Sequence, residues 1–288
     1  MKRREFVKKS MVVAGGLAIT PTLLFKKEGK KNIRLTILHT NDTHSQIDPL
    51  PANHSKFPNR GGVVWRYNEI QKIRAEETNV LLVDSGDLFQ GTPYFNKYKG
   101  ILEMKLMSEM GYEASTMGNH EFDIALNGFK NAKKHASFPF ICTNYDFSRT
   151  ELAGETIKHL IIEKGGIKIG LIGLGVELEG LVPAQNFGET KYLDPIACAN
   201  KEAKILKEKK CDLIICLSHL GFEYTDTTKV SDRILAKSTR NIDIILGGHT
   251  HTFLEKPVEE LNLDGKKVMI NQTGFAGINL GRIDIQFS

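Results

Sequence analysis

The chain has 288 residues, of which 41% are hydrophobic and 25% charged, and these ordinary values exclude collagen-like, low-complexity and disulfide-scaffold proteins. No apolar run reaches the ~20 residues that a membrane-spanning helix needs. Residues 1–31 hold nine Lys or Arg and two Asp or Glu, and the rest of the chain holds 30 basic and 32 acidic residues. The net charge of +5 therefore comes from this N-terminal tail and does not indicate a nucleic-acid partner.

The tail has the architecture of an export signal. Its charged start, Lys2–Lys9, precedes a modestly apolar stretch from Met11 to Phe25. The pair Arg3-Arg4 with its neighbours resembles a twin-arginine signal, which carries folded proteins to the periplasm. We therefore expect residues 1–31 to be a twin-arginine-type signal peptide and basic tail, with a disordered basic start as the alternative. An uncleaved signal would leave a membrane anchor.

From residue 32 onward, short apolar runs alternate with amphipathic stretches. The runs that predict strands are Ile33–His39, Val80–Asp84, the weaker Glu113–Met117, Phe138–Thr143, Ile167–Leu174, Leu213–Ser218, Ile242–Leu246, Val268–Gln272 and Gly281–Phe287. The patterns that predict helices are Val63–Glu76, Ile101–Met110, Ile124–His135, Pro195–Lys209 and Asp226–Thr239. This alternation predicts an α/β protein. Without repeats or linkers, residues 32–288 are expected to form one domain.

Polar segments follow five of these apolar runs. They are Asn41-Asp42-Thr43-His44, Asp84-Ser85-Gly86-Asp87, Gly118-Asn119-His120-Glu121, Ser218-His219 and Gly247-Gly248-His249-Thr250-His251. Ligands of α/β sheets bind at the carboxyl ends of the strands, so these segments can converge on one place. Buried carboxylates and imidazoles in such numbers are costly without cations. Mixed carboxylate, imidazole and amide ligands suit Mn, Fe, Zn or Co, and the count is enough for two divalent metal ions.

The ordered set of motifs resembles the calcineurin-like metallophosphoesterases. The wider strings resemble the 5′-nucleotidase/UDP-sugar hydrolase branch of that family: Leu38-His39-Thr40-Asn41-Asp42, Asn119-His120-Glu121-Phe122-Asp123, Leu217-Ser218-His219-Leu220-Gly221, Gln272-Thr273-Gly274 and Leu280-Gly281-Arg282. The resemblance covers about residues 33–288. It implies a four-layer α/β/β/α sandwich of two mixed sheets, whereas the hydrophobic pattern alone predicts only α/β.

The same resemblance implies a role for each site residue. One metal would be bound by Asp42, His44 and His251. The other would be bound by Asn119, His219 and His249. Asp87 would bridge the two metals, and His120, oriented by Asp123, would be the catalytic group that does not bind metal.

The implied activity is that of an exported dinuclear-metal phosphoesterase that acts on phosphate monoesters, in particular 5′-nucleotides. Metal-activated hydroxide would attack phosphorus with assistance from His120 and Asp123. Two departures bear on the substrate, because Gly173–Glu177 replaces a Thr-rich turn of the branch and Ser45 replaces a common Gly.

Three alternatives remain open. The first is a phosphodiesterase or another hydrolase on the same metal core, such as the thiosulfohydrolase-like relatives. The second is a catalytic subunit whose nucleotide-binding C-terminal domain is a separate chain, since members of the branch usually continue into such a domain. The third is a metal-loaded binding subunit without turnover.

Overall fold

The computed structural model describes residues 22–25 and 33–288. Its strands are β1 (Thr22–Phe25), β2 (Ile33–Thr40), β3 (Val80–Asp84), β4 (Ala114–Ser115), β5 (Tyr145–Asp146), β6 (His159–Lys164), β7 (Ile167–Leu174), β8 (Lys191–Tyr192), β9 (Leu213–Ser218), β10 (Ile244–Leu246), β11 (Val258–Leu261), β12 (Lys267–Asn271) and β13 (Gly281–Phe287). Its helices are α1 (Val63–Glu76), α2 (Pro93–Tyr98), α3 (Ile101–Met110), α4 (Ala125–Lys133), α5 (Ala184–Phe187), α6 (Pro195–Glu208) and α7 (Asp232–Ser238), with a 3₁₀ turn at His120–Phe122.

The strands form two mixed sheets and one short antiparallel pair. The first sheet has the order β1-β13-β2-β3-β4, in which only the β13–β2 pair is antiparallel. The second has the order β11-β12-β10-β9-β7-β6, with antiparallel pairs at its two edges and parallel pairs between them. Strands β5 and β8 pair separately. In the first sheet, the parallel strands β2 and β3 have their carboxyl ends at the same edge. In the second sheet, the same holds for β9 and β10.

Strand residues alternate between two apolar layers, as the pleat requires. In β2, Leu35 and Ile37 belong to the layer between the two sheets, whereas Leu38 faces the helices. In β9, Ile215 belongs to the same middle layer, whereas Ile214 faces the other helices. Both sheets are therefore buried on both faces, which explains their nearly continuous apolar runs.

Helices cover the outer face of each sheet. Ile70 of α1, Met104 of α3 and Phe129 of α4 pack over the first sheet. Ala203 of α6 and Leu235 of α7 pack over the second. Asp194 caps the start of α6, because its carboxylate accepts a hydrogen bond from the Ala197 backbone N–H. Pro195 follows at the first helical position, where proline is favoured. The predicted four-layer sandwich is confirmed.

Several element predictions differ from the structure. The run Phe138–Thr143 forms isolated bridges through Phe140 and Ile141 instead of a strand, because its neighbour β4 is only two residues long. The helix predicted from Asp226 begins at Asp232, where the Ser231 hydroxyl accepts the Ile234 N–H. Strands β5, β6, β8 and β11 and helices α2 and α5 were not predicted. Strand β1, within the predicted tail, pairs with β13.

Among the described residues, no helix is both long enough and apolar enough to cross a membrane. The predicted twin-arginine pattern at Arg3-Arg4 lies outside the described residues.

Candidate metal centre

The loops after five strands meet at one end of the sandwich, and both sheets contribute to them. The first sheet supplies Asp42 and His44 after β2, Asp87 after β3, and Asn119 after β4. The second sheet supplies His219 after β9, and His249 and His251 after β10. The structure thus brings together all seven side chains that the sequence analysis assigned to metals.

One group of candidate ligands consists of Asp42, His44 and His251. The Nε2 atoms of the two imidazoles lie 2.9 Å apart, and His251 Nε2 lies 3.4 Å from Asp42 Oδ1. His44 Nδ1 lies 3.2 Å from the carbonyl oxygen of Phe89, which leaves Nε2 facing the group. Converging nitrogen and oxygen lone pairs of this kind are the donor set of a transition-metal ion.

A second group consists of Asp87, His219 and His249. His219 Nε2 lies 3.0 Å from Asp87 Oδ2, and the Asn119 Oδ1 oxygen lies 2.9 Å from His249 Nδ1. His219 Nδ1 lies 2.7 Å from the Ser85 carbonyl oxygen and donates a hydrogen bond to it, so Nε2 is the atom that remains to bind a metal. This Nε2 atom is buried and has no aligned hydrogen bond to any residue of the described chain, which fits a metal ligand.

The loop backbones approach the ligands closely at two glycines. A Cβ atom on Gly118 would collide with the Asp87 carboxylate and with the His219 ring. A Cβ atom on Gly248 would lie 2.8 Å from His219 Nδ1 and 3.1 Å from Asp42 Oδ2. Glycine is therefore required here for space, and neither position has a left-handed backbone.

Five of the seven candidate ligands have a left-handed backbone, which is uncommon for residues with a side chain. The φ angles are 50° at Asp42, 48° at His44, 56° at Asp87, 72° at His249 and 52° at His251. Such conformations cost free energy and persist only where surrounding contacts impose them. Their concentration at one site is typical of a functional centre.

Burial and charge set the protonation of the ligands. Burial opposes the charged form of His219, but Asp87 outweighs it and raises the pKa of His219 to about 10. Burial also opposes ionisation of Asp87, but His219 holds the pKa of that carboxyl well below its usual range. Desolvation lowers the pKa of His249 to about 4 and lowers the pKa of His44. His44, His249 and Asp87 are thus held in the forms that bind metals, whereas metal binding at His219 requires loss of the proton that Asp87 stabilises.

His120 and Asp123 form the pair that the sequence analysis expected. His120 Nδ1 lies 2.7 Å from Asp123 Oδ2, and both side chains are partly exposed. Burial disfavours the charged imidazole, but the hydrogen bond to Asp123 and the charge of Asp87 raise the pKa of His120. A ring nitrogen of His120 also lies near ligand atoms of His44 and Asp87, so the imidazole faces the centre.

Glu121 has a positioning role that the sequence analysis did not assign. Its buried carboxylate accepts hydrogen bonds from the backbone N–H groups of Asp87, Leu88 and Gly118, at 2.7–2.9 Å. It therefore ties the loop after β3 to the loop after β4.

Asp84 and His39 lie behind the candidate ligands. Asp84 accepts hydrogen bonds from the Thr40 hydroxyl and the Gly86 N–H, so its oxygens face away from the centre. His39 is fully buried, and its Nε2 lies 3.2 Å from Asn271 Nδ2. Both residues support the loops from within the fold.

Comparisons with known proteins identify relatives of this chain in sequence and in fold. The 5′-nucleotidase of Rattus norvegicus is 31% identical over 280 residues, which is 89% of this chain and 47% of the rat protein. The structure of 5′-nucleotidase precursor from Thermus thermophilus has a TM-score of 0.76 and 33% identity, covering 85% of this chain and 50% of that one. The NAD nucleotidase of Haemophilus influenzae has a TM-score of 0.77 and 26% identity, covering 88% and 53%.

The chain spans about half the length of the curated relatives that it matches. The model of the calcineurin-like phosphoesterase family matches residues 35–253, which include every candidate ligand described above. The chain therefore belongs to the calcineurin-like phosphoesterase family.

Proposed function

We propose that this chain is a metal-dependent phosphomonoester hydrolase that acts on 5′-nucleotides. The observation that carries the proposal is the convergence of two ligand groups, Asp42/His44/His251 and Asp87/His219/His249, with Asn119 beside the second. The proposal that the substrates are 5′-nucleotides is supported by the similarity to 5′-nucleotidases from several organisms.

The residues present fit two divalent metal ions. Asp42, His44 and His251 would hold one, and Asn119, His219 and His249 the other. Asp87 would be shared, since its carboxylate lies next to both groups. The metals would supply Lewis-acid polarisation of the phosphoryl group and activation of a water molecule. The buried Nε2 atom of His219, 3.0 Å from Asp87 Oδ2, and the tight approach of Gly118 both support this assignment.

The protein side chains would orient the phosphoryl group and deliver a proton. His120 is held by Asp123, whose hydrogen bond helps to raise the pKa of the imidazole, so a protonated His120 can donate to an equatorial phosphoryl oxygen or to the departing alkoxide. The Asn119 side chain would offer its NH₂ to a phosphoryl oxygen while its Oδ1 atom faces the metal group. Glu121 would keep both loops in place through its three hydrogen bonds.

The test is hydrolysis by the full chain, reconstituted with Mn, Zn, Fe or Co, of AMP, p-nitrophenyl phosphate and bis-p-nitrophenyl phosphate. We expect monoester turnover, and a loss of kcat of about 10²–10⁴-fold in His120→Asn with its bound metal retained. Asp87→Asn should lose most of its metal. Preference for the diester would favour the phosphodiesterase alternative.

Other outcomes separate the remaining alternatives. Turnover of p-nitrophenyl phosphate with poor AMP hydrolysis would indicate that nucleotide specificity needs a domain on a separate chain. Two bound metals without hydrolysis of any of the three esters would contradict the proposal and favour a binding subunit. The intact His120–Asp123 pair argues for turnover, because a binding subunit has no need for a proton donor beside the metals.

We also propose export to the periplasm by the twin-arginine route, on the basis of the sequence of residues 1–31. Fusing this segment to a folded reporter should place the reporter in the periplasm of a bacterial host. Arg3→Lys combined with Arg4→Lys should keep it in the cytoplasm, and unchanged export of that variant would contradict the route.

A further inference from the structure

A cavity of about 660 Å³ opens beside the metal centre. The loop after β7, the start of α6 and the loop after β9 form its walls, and His249 completes them. All of these segments lie at the carboxyl edge of the second sheet. Its volume lies within the range of small-molecule sites, and its position at the strand ends is where α/β proteins bind ligands.

The charge of this cavity is strongly one-sided. Four carboxylates line it, from Glu177, Glu179, Asp194 and Asp226, whereas Lys229 is the one cationic side chain among the described lining residues apart from the titratable His249. Lys229 also lies over the ring of Tyr224, 5.8 Å from its centroid. A ligand in the cavity therefore lies among more acidic than basic side chains.

Two of the four carboxylates accept hydrogen bonds from other groups of the protein, and the other two do not. Asp194 caps α6 through the Ala197 N–H, and Asp226 accepts hydrogen bonds from Thr228. Glu177 and Glu179 are exposed on the wall after β7, and no hydrogen bond or ion pair engages either side chain within residues 33–288. Glu177 ends the Gly173–Glu177 segment, which departs from the Thr-rich turn of the branch. These two carboxylates are free to interact with a ligand.

The cavity and the metal centre share His249. The His249 imidazole belongs to the group that includes Asp87, and His120 faces Asp87 from the group with His44. A phosphoryl group bound to metals that these residues hold would lie beside His120, while the organic part of the same ester would extend past His249 into the cavity. For a monoester, that organic part is the leaving alcohol.

We propose that this cavity is the leaving-group subsite and that Glu177 and Glu179 are its specificity-determining residues. They repel leaving groups that carry an additional anionic group. The site accordingly takes monoesters of uncharged polyhydroxy alcohols, such as nucleosides, and discriminates against leaving groups with a second phosphate. This inference rests on the phosphomonoesterase activity proposed above and adds a substrate preference to it.

The test compares two substrates that differ by one phosphate on the leaving group, AMP and adenosine 3′,5′-bisphosphate. The measured quantity is the ratio of kcat/KM for 5′-phosphate release from the bisphosphate to that from AMP. In Glu177→Gln/Glu179→Gln we expect this ratio to rise about tenfold, because one charge pair at about 6 Å in water changes affinity about threefold. Glutamine keeps the shape of each side chain.

Ionic strength separates charge repulsion from a change of shape. Raising salt from about 10 mM to about 1 M shortens the Debye length from about 30 Å to about 3 Å. The wild-type ratio should rise with salt more steeply than that of the double variant, which keeps only Asp194, Asp226 and Lys229 as charged residues of the cavity. A salt-independent wild-type ratio would overturn the proposal.

The control variant is Glu109→Gln, which removes an exposed carboxylate from α3 on the outer side of the first sheet. Its ratio should equal that of the wild type. Hydrolysis of AMP with an unchanged ratio in the double variant would contradict this inference alone. Failure of the wild type to hydrolyse AMP and p-nitrophenyl phosphate would instead contradict the proposed function.

Discussion

Gly118 follows β4 of the first sheet and precedes the candidate ligand Asn119. Because it has no side chain, it leaves space that two candidate ligands occupy. The Asp87 carboxylate and the His219 ring both stand where a Cβ atom would be. Asp87 comes from the first sheet and His219 from the second, so this one glycine lets ligands from the two sheets meet. Its role is visible only from contacts across the fold.

Gly118→Ala should therefore impair metal binding more than folding. The added methyl group pushes Asp87 and His219 apart, and overpacking of this kind costs about 1–3 kcal/mol of unfolding free energy. We expect a folded protein by circular dichroism that has lost at least about half of its bound metal by elemental analysis. Full metal content in the variant would show that the close approach is not needed.

A suitable control is Gly154→Ala. Gly154 has no atom within 4 Å of an added Cβ and lies away from the predicted site, although its φ of 77° makes the substitution strained. This variant should lose some stability and retain its metal. A similar metal loss in both variants would point to general destabilisation.

At the residue scale, the sequence predicted the candidate ligands because each follows an apolar run and shares its loop with small residues. Asp42, Asp87 and His219 were assigned as candidate ligands from that local pattern and the family resemblance alone. Glu121 was left without a role because its three partners are backbone N–H groups, which no sequence pattern displays. Glu177 was noted only as the end of the divergent Gly173–Glu177 segment and Glu179 was not noted, since a cavity is defined only by the packing of separate loops.

At the scale of elements, runs with burial on both faces were predicted well. Strands β3, β7, β9 and β13 begin and end at the predicted residues, because the first three are mainly apolar runs and β13 alternates apolar with polar residues. The edge strands β6 and β11 were missed, since they are partly exposed and their short sequences mix charged with apolar residues. The single-domain extent of residues 32–288 stays a prediction.

The pairing of β2 with β13 is reinforced by a buried carboxylate. Asp284 accepts hydrogen bonds from the Thr36 hydroxyl and the Arg34 guanidinium, both at 2.7 Å. Burial alone would raise the pKa of Asp284, but these hydrogen bonds and the contact with Arg282 outweigh it and lower the pKa. The ionised form is therefore favoured in the folded protein.

Asp284→Asn should reduce the unfolding free energy by about 1–3 kcal/mol at pH 7. A lowered pKa in the folded state stabilises the protein above the unfolded-state pKa of about 3.9, and this stabilisation is lost as pH falls through the folded-state value. The difference between wild type and variant should thus shrink below about pH 4. Urea unfolding at several pH values measures it, and a difference that is constant with pH would contradict the assignment.

At the scale of the whole molecule, the candidate metals would link the two sheets. Asp42, His44 and Asp87 follow strands of the first sheet, whereas His219 and His249 follow strands of the second. A ligand that binds only the native state stabilises it by about 2.7 kcal/mol at 100 times its Kd. Metal removal should therefore lower the stability of the sandwich as a whole.

Chelation with EDTA should lower the Tm by about 5–10 °C. Asp87→Asn, which is expected to bind little metal, should show a lower Tm that EDTA does not change. Calorimetry with and without EDTA measures both proteins. An equal shift in the two proteins would indicate that the chelator acts elsewhere.

The strand order of the first sheet also constrains when that sheet can fold during synthesis of the chain. β13, made after every other strand of the sheet, lies beside β2, made early, with Ile283 opposite Ile37. Until Phe287 has left the ribosome, one edge of β2 has no partner, and the middle layer lacks three of its side chains. The nascent chain must stay unaggregated with this edge open, so holdase chaperones would be expected to protect it until β13 is released.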